Sequence, residues 1–200
     1  GFTQLITKAK SYDEKTQVYA SIIEKSIAEL LDIMSNILTL SEIHNDRLEK
    51  STTTVNFKAL KKNILGISEE VLARRKKNLK FQIISNEPLD IEIPIGEKEL
   101  LIVIKQLIDN AVKYTGVGHF SIECIVNDLG MFQINVKDTG IGINAENLHS
   151  IFDFFIQEDQ LDTRMYNGIG VGLSICKGIV TKAGGKIWVE SEKNKGSTFF

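Results

Sequence analysis

The amino-acid sequence predicts an α+β fold, a two-layer α/β sandwich, preceded by a helical stalk. Two patterns carry this reading. Residues 16–48 contain no Gly or Pro, and within them Ile23, Ile27, Leu30, Met34 and Ile37 recur at steps of 4, 3, 4 and 3. That is the heptad period of a helix packed on other helices. Downstream, short strand-like runs alternate with amphipathic helical ones, and hairpins with helices collected between them make a helix-over-sheet sandwich. The division falls into a stalk over residues 1–54 and a sandwich over 55–200.

In order, Ile22, Leu31 and Leu38 widen the stalk stripe beyond a two-stranded seam, so this face calls for a four-helix bundle. A symmetric dimer would supply the remaining helices. Residues 55–57 suit a short strand, 60–76 a helix, 79–84 an alternating strand and 91–93 another short one. Residues 98–115 form a strongly amphipathic helix. The runs 120–126 and 131–136 flank Asn-Asp-Leu-Gly, a turn-rich connection that predicts a hairpin. Residues 137–172 are rich in Gly, Asp and Asn and too long for an ordinary loop, which makes them a candidate lid. A helix over 171–182, a strand over 186–190 and the start of a last strand at 197–200 complete the pattern. With no initiator Met and a stop inside that strand, the sequence reads as a piece of a longer protein.

Composition narrows the function. The 24 basic and 26 acidic side chains leave a net charge of −2 without a run of five like charges, which argues against a nucleic-acid partner. No apolar run reaches the roughly 18 residues of a membrane span, so no membrane contact is expected of this segment. Cys124 and Cys176 lie far apart in apolar segments and read as buried thiols of a reducing, cytoplasmic compartment.

Three constellations carry chemistry. Gln106, Asn110, Lys113 and Tyr114 share one polar stripe of the 98–115 helix, opposite Leu100, Leu101, Ile104, Leu107 and Ala111. An amide oxygen beside a Lys and a Tyr suits a Mg²⁺-phosphate group, since Mg²⁺ prefers oxygen, Lys offers a point charge and Tyr packs on a ribose or base. Asp138-Thr139-Gly140-Ile141-Gly142 follows a strand directly. Its carboxylate can accept the exocyclic amine of adenine, and its glycines let backbone approach a flat base. Gly168-Ile169-Gly170-Val171-Gly172-Leu173 leads into a helix and exposes N–H groups to phosphate, yet it matches neither the P-loop nor the Rossmann signature.

In order and spacing these segments resemble the catalytic domain of sensor histidine kinases, members of the ATPase superfamily shared with gyrase, mismatch-repair ATPases and the 90-kilodalton heat-shock chaperone. Asp109-Asn110-Ala111-Val112-Lys113-Tyr114-Thr115 resembles the N box, and Asp138-Thr139-Gly140-Ile141-Gly142-Ile143 the G1 box. Ile151-Phe152-Asp153-Phe154-Phe155 is similar to the F box, the Gly168 segment to the G2 box, and Gly196-Ser197-Thr198-Phe199 to the closing glycine motif. Residues 19–48 resemble the second helix of the dimerisation and histidine-phosphotransfer domain.

The resemblance implies a Bergerat ATP-binding fold with ATP and Mg²⁺ as ligands. It makes Asn110 the metal ligand, Lys113 a phosphate contact, Tyr114 a packing partner and Asp138 the adenine reader, with Gly140, Gly142 and Ile143 beside the base. Gly168, Gly170, Val171, Gly172 and Leu173 would close over the triphosphate, Phe152 and Phe155 would anchor the lid, Arg164 lies within it, and Thr198 would line the nucleotide site. It further implies a homodimer through the stalk, phosphoryl transfer to a stalk histidine and onward to the Asp of a response-regulator receiver domain. An anti-sigma-factor-type serine kinase shares the nucleotide fold but lacks the heptad stalk. A nucleotide-binding module without catalysis is the other alternative.

Three departures qualify the resemblance. Gln106 stands where the family has Asn and its hydrolytic relatives Glu; an amide takes no proton near neutral pH, so water activation is not expected, while the resemblance keeps Gln106 with Asn110 and Lys113 as a catalytic candidate that would assist Mg²⁺ through its longer arm. Phe154 replaces the Pro frequent in the F box. Gly1-Phe2-Thr3-Gln4-Leu5 resembles the segment that follows the phospho-acceptor motif, so the acceptor is expected upstream of residue 1, and His44, His119 and His149 read as incidental.

Overall fold

A computed structural model describes residues 14–44, 54–85, 92–93, 95–126, 130–153 and 170–200. The chain divides into two units, Gly1–Asn45 and Asp46–Phe200. The first unit holds helix α1, Glu14–His44. Its stripe of Ile23, Ile27, Leu30, Met34 and Ile37 is about half exposed along its length, with exposures of 47–56%.

The second unit begins with a two-residue strand β1, Val55–Asn56, and helix α2, Phe57–Arg75. Asn56 caps α2 by accepting from Lys58 N–H at 3.0 Å. The helix ends at Lys76 in the left-handed region, where Lys77 N–H reaches back to Leu72 O at 3.1 Å. Strands β2, Lys80–Ser85, and β3, Glu92–Ile93, precede helix α3, Glu97–Tyr114. Glu97 and Glu99 sit in the first turn of α3, where negative charge complements the helix dipole. Strands β4, His119–Val126, and β5, Phe132–Asp138, form the expected hairpin, with Phe120 opposite Asp138. A short 3₁₀ turn, Ala145–Asn147, comes next in the described chain, then helix α4, Gly172–Lys182, and strands β6, Val189–Glu192, and β7, Gly196–Phe199.

The five-stranded sheet runs β2-β4-β5-β7-β6, and β1 pairs with β3 in a separate ribbon. One pairing departs from an all-hairpin reading: β2 and β4 are parallel. A parallel neighbour needs a crossover of a dozen or more residues, and α3 supplies it. The last hairpin also shifts from the expected 186–190, because its ladder is set by β7: Trp188 and Phe200 exchange N–H···O bonds at 3.1 and 2.9 Å.

One face of the sheet carries Phe120, Ile122, Cys124, Val136 and Phe199, all buried. Over it lie the buried faces of α2 (Phe57, Leu60, Ile64, Val71), α3 (Leu100, Val103, Ile104, Leu107, Ile108, Ala111, Val112) and α4 (Ile175, Cys176, Ile179). Each buried Val, Leu, Ile or Phe side chain among these stabilises the fold by roughly 1.5–3 kcal/mol. The apolar side of α3 is thereby used up, which turns Gln106, Asn110, Lys113 and Tyr114, all half-buried, away from the core. Cys124 and Cys176 are free thiols whose burial pushes both up to about 12, so they are inert at neutral pH. Among the described residues no helix is long and apolar enough to cross a membrane.

Candidate functional site

The site is assembled where β5 ends. Asp138 is 5% exposed, and burial pushes its carboxyl above the ordinary carboxylate range, against the opposing pull of the Gly140 and Ser197 backbone N–H groups. Gly140 N–H donates to Asp138 Oδ1 at 2.8 Å, a local turn that aims the carboxylate.

The loop after Asp138 is clamped by backbone from two directions. Ile141 N–H donates to Tyr114 O at 3.2 Å, tying the loop to the end of α3, and Asn194 N–H donates to Ile141 O at 2.7 Å, tying it to the β6–β7 turn. A β-carbon on Gly140 would stand 2.5 Å from Tyr114 O, and one on Gly142, whose φ is +63°, would collide with Glu192 O. The glycine requirement at both positions is therefore already imposed by neighbouring protein backbone. Gly196, at φ +105°, lies against Asp138 O in the same way.

Hydroxyl groups secure the next step of the loop. Ile143 N–H donates to Ser191 Oγ at 2.9 Å, and Ser191 Oγ lies 2.8 Å from Gly196 O and 2.9 Å from Ser197 Oγ. Asp138 and Ser197 occupy the same face of the sheet, because Val136 pairs with Phe199 and side chains alternate along each strand. Thr198 pairs with Lys137 and so faces the opposite side of the sheet. At that strand Ser197, rather than Thr198, accompanies the carboxylate.

Helix α3 supplies the second wall. Lys113 Nζ lies 4.8 Å from the centre of the Tyr114 ring, a cation–π contact that restrains both side chains beside the loop. The preceding residue on this stripe's flank, Asp109, anchors this end of α3 to α2: it accepts from Arg74 Nη2 at 2.7 Å, from Arg75 Nε at 2.8 Å and from Arg75 Nη2. Burial pushes the Asp109 carboxyl up, but Arg75, Arg74 and Lys113 together outweigh it and hold the group below its ordinary value. Lys77 Nζ adds a bond to Thr115 O at 2.9 Å, so the last turn of α3 is held from the same side.

Helix α4 forms the third wall. Gly170 has φ +74°, a conformation that favours glycine. Val171 is buried and begins the helix, accepting from Ile175 N–H at 3.0 Å and from Ser174 Oγ at 2.8 Å. Leu173 is half-buried, and Gly172 faces the Gln106 carboxamide of α3.

Asn110, Lys113, Tyr114, Asp138, Gly140, Gly142 and Ile143 thus sit on elements joined by direct bonds, and Gln106 lies beside Gly172 at the start of α4. Phe154, Phe155, Arg164 and Gly168, with the lid expected around them, lie outside the described residues. Phe152 is buried, with its ring edge-on to Phe199 at 6.4 Å between centroids, so it packs in the core. The residues that the sequence reading passed over are Ser191, Asn194 and Ser197, together with Arg74 and Arg75. The alternation of Ser197 and Phe199 about Thr198 could have pointed to Ser197; the others depend on strand order and helix packing.

A family model described as histidine kinase-, DNA gyrase B-, and HSP90-like ATPase matches residues 96–200. The chain belongs to that family. It is 32% identical over 205 residues to the autoinducer 2 sensor kinase/phosphatase LuxQ of Vibrio vulnificus, covering 100% of this chain and 24% of the relative. It is 35% identical over 188 residues to hybrid signal transduction histidine kinase L of Dictyostelium discoideum, covering 90% and 11% respectively. The chain therefore spans about a quarter or less of the length of these relatives. Among solved structures, full-length ShkA in complex with AMPPNP shares the fold at a TM-score of 0.76 and 24% identity over 99% of this chain and 40% of that one. The nucleotide-free catalytic domain of histidine kinase ThkA aligns at a TM-score of 0.57 and 28% identity, covering 74% and 92%.

Proposed function

We propose that this chain binds Mg·ATP at the loop after β5 and, as part of a sensor histidine kinase, delivers the γ-phosphoryl group to a histidine on a helical stalk, from which a receiver-domain Asp takes it. The observation that carries the reading is Asp138: a buried carboxylate, held by the N–H groups of Gly140 and Ser197, in a loop where only glycine fits. Such a group can accept both from backbone and from an exocyclic amine, which suits adenine and disfavours a base with a carbonyl at that position. Tyr114 flanks the base side of the site and Lys113 supplies a point charge for phosphate. Asn110 offers an amide oxygen to Mg²⁺, which binds through one or two protein oxygens plus phosphate oxygens and keeps its other waters. When bound, the ion neutralises charge on the phosphate oxygens.

The remaining residues position and shield. Gly170, Val171, Gly172 and Leu173 bring the start of α4 toward the phosphate side, and no side chain described at the site is suited to act as a nucleophile of its own, in keeping with a transfer that needs positioning and charge compensation above all. The apolar stripe of α1 pairs with a second copy and an antiparallel helix to complete a four-helix bundle, with the kinase working in the cytoplasm. Incubation with γ-labelled ATP and a purified stalk domain carrying an acceptor histidine tests the proposal. Mg²⁺-dependent, acid-labile label on that histidine is the expected result; nucleotide binding without label would reduce the function to a binding module.

A further inference from the structure

Asp138, Ser197 and Ser191 stand in one row across β5, β7 and β6. Val136 pairs with Phe199 and Lys137 with Thr198, which brings Asp138 level with Ser197, and Ser197 pairs in turn with Ser191. The bonds along this row fix where each hydroxyl proton lies. Gly196 O can only accept, so the 2.8 Å bond from Ser191 Oγ takes the one proton of Ser191. Toward its other neighbours Ser191 Oγ is then an acceptor: it receives Ile143 N–H at 2.9 Å and the Ser197 hydroxyl at 2.9 Å. Both of its lone pairs are thereby filled. The Ser197 proton is directed to β6, away from Asp138, and its oxygen is left able to accept and unable to donate.

Resting on the nucleotide-binding reading above, we propose that Ser191 is a positioning residue for recognition of the exocyclic amine of adenine: by holding the Ser197 proton it presents Ser197 Oγ, beside the Asp138 carboxylate, as a second pure acceptor. Two neighbouring acceptors suit an amine, which carries two N–H donors. Asp138 and Ser197 are only 5% and 7% exposed, and at that burial an unmatched polar contact is costly. Ser191 acts through Ser197, and through the Ile143 N–H that ties the loop after Asp138 to the same oxygen. Without the Ser191 hydroxyl, the Ser197 proton turns to the strongest acceptor across the row, the Asp138 carboxylate, and competes there with the amine.

Titrations of the intact chain with ATP and with purine riboside triphosphate, which lacks the amine, test this. The wild type should prefer ATP by at least about tenfold. Ser191→Ala should bind ATP roughly 3- to 10-fold more weakly, the range of one neutral hydrogen bond, and bind the amine-free analogue as the wild type does. Ser191→Cys keeps the size of the side chain but bonds weakly and should behave like the alanine variant, whereas Ser191→Thr keeps the hydroxyl and should restore the preference. Ser197→Ala should show the same loss, and adding Ser191→Ala to it should change the preference little further. Hydrogen exchange without nucleotide should show the Ile143 amide exchanging about 3- to 10-fold faster in Ser191→Ala, a check on the junction that needs no ligand. Unchanged exchange at Ile143, equal weakening of both nucleotides, or losses that add in the double variant would each overturn the role of Ser191. A wild-type chain that binds ATP and the analogue equally would do the same, while one that binds neither would overturn the nucleotide reading and this role with it.

Discussion

Asn194 N–H donates to Ile141 O at 2.7 Å, which presses the β6–β7 turn onto the loop that follows Asp138. The consequence falls on Gly142, whose missing β-carbon makes room for Glu192 O while its φ of +63° excludes most side chains. Gly142→Ala should therefore lower stability by roughly 2 kcal/mol or more, combining left-handed backbone strain with a clash against backbone that cannot swing aside. Gly66→Ala is the contrasting case. Nothing lies within 4 Å of its added methyl, and in the middle of α2 alanine should gain about 0.5–1 kcal/mol. Urea denaturation of the two variants checks both signs.

Asp138→Asn should move stability and affinity in opposite directions. The raised carboxyl pKa means that ionisation costs folding free energy: the native state favours the proton, so stability is greatest below the ordinary value of 3.8 and falls as pH rises through the higher folded value. Removing the charge should raise the melting temperature at pH 7 relative to wild type, with the difference vanishing in acid. ATP affinity should fall about 30- to 1,000-fold, or roughly 2–4 kcal/mol, because a charged acceptor is replaced by an amide that also presents a donor to the amine. Calorimetry with ATP and GTP beside the melting curves would read both. A destabilised variant that still binds ATP would place the base elsewhere.

Asp109 carries the opposite linkage. Its carboxyl is held below 3.8, so its contribution is present above that value and is lost as pH falls through the folded pKa. Asp109→Asn should cost about 1–2 kcal/mol at pH 7, a figure kept modest because the side chains of Asp109 and Arg75 remain 20% and 28% exposed. The difference between variant and wild type in a urea midpoint series should shrink below about pH 4. A difference that stays constant into stronger acid would assign the loss to packing rather than charge.

Much of this arrangement was legible in the residues. The stripe on α3 could be read because seven apolar side chains of one helix face must be buried, which leaves Gln106, Asn110, Lys113 and Tyr114 on the other side. The β4–β5 hairpin followed from alternation around a turn. What could not be read was pairing between distant elements. The parallel β2–β4 contact depends on the path of the crossover, and which of Ser197 and Thr198 shares the face of Asp138 is fixed only by the register of β7 against β5. Gly140 and Gly142 were legible as glycines with a purpose. The backbone that enforces them, Tyr114 O and Glu192 O, comes from the far end of α3 and from a hairpin much later in the chain.

Asn110→Ala separates a metal ligand from a helix residue. An amide oxygen on Mg²⁺ matters only when the ion is present, and Mg²⁺ accepts little distortion of its octahedral shell. The variant should lose Mg·ATP affinity at least about tenfold, a difference near 1.4 kcal/mol, while metal-free ATP binding changes little. Equal losses with and without the ion would make Asn110 a structural residue.

Lys113 tests the transfer step itself. Its ammonium group is restrained over the Tyr114 ring at 4.8 Å, so its charge is positioned before nucleotide arrives. A charge that compensates the transferring phosphate acts more strongly in the transition state than in the ground state, and its loss should lower the rate more than the affinity. Lys113→Ala should slow labelling of a separate stalk domain by about 100-fold while raising the KM for ATP only a few-fold. The arginines on Asp109 control for local structure: Arg74→Ala removes one ligand of the neighbouring carboxylate and should leave the labelling rate within about threefold. Were Lys113→Ala to raise KM with an unchanged maximal rate, the lysine would contribute uniform binding only, and charge compensation would have to come from elsewhere in the site.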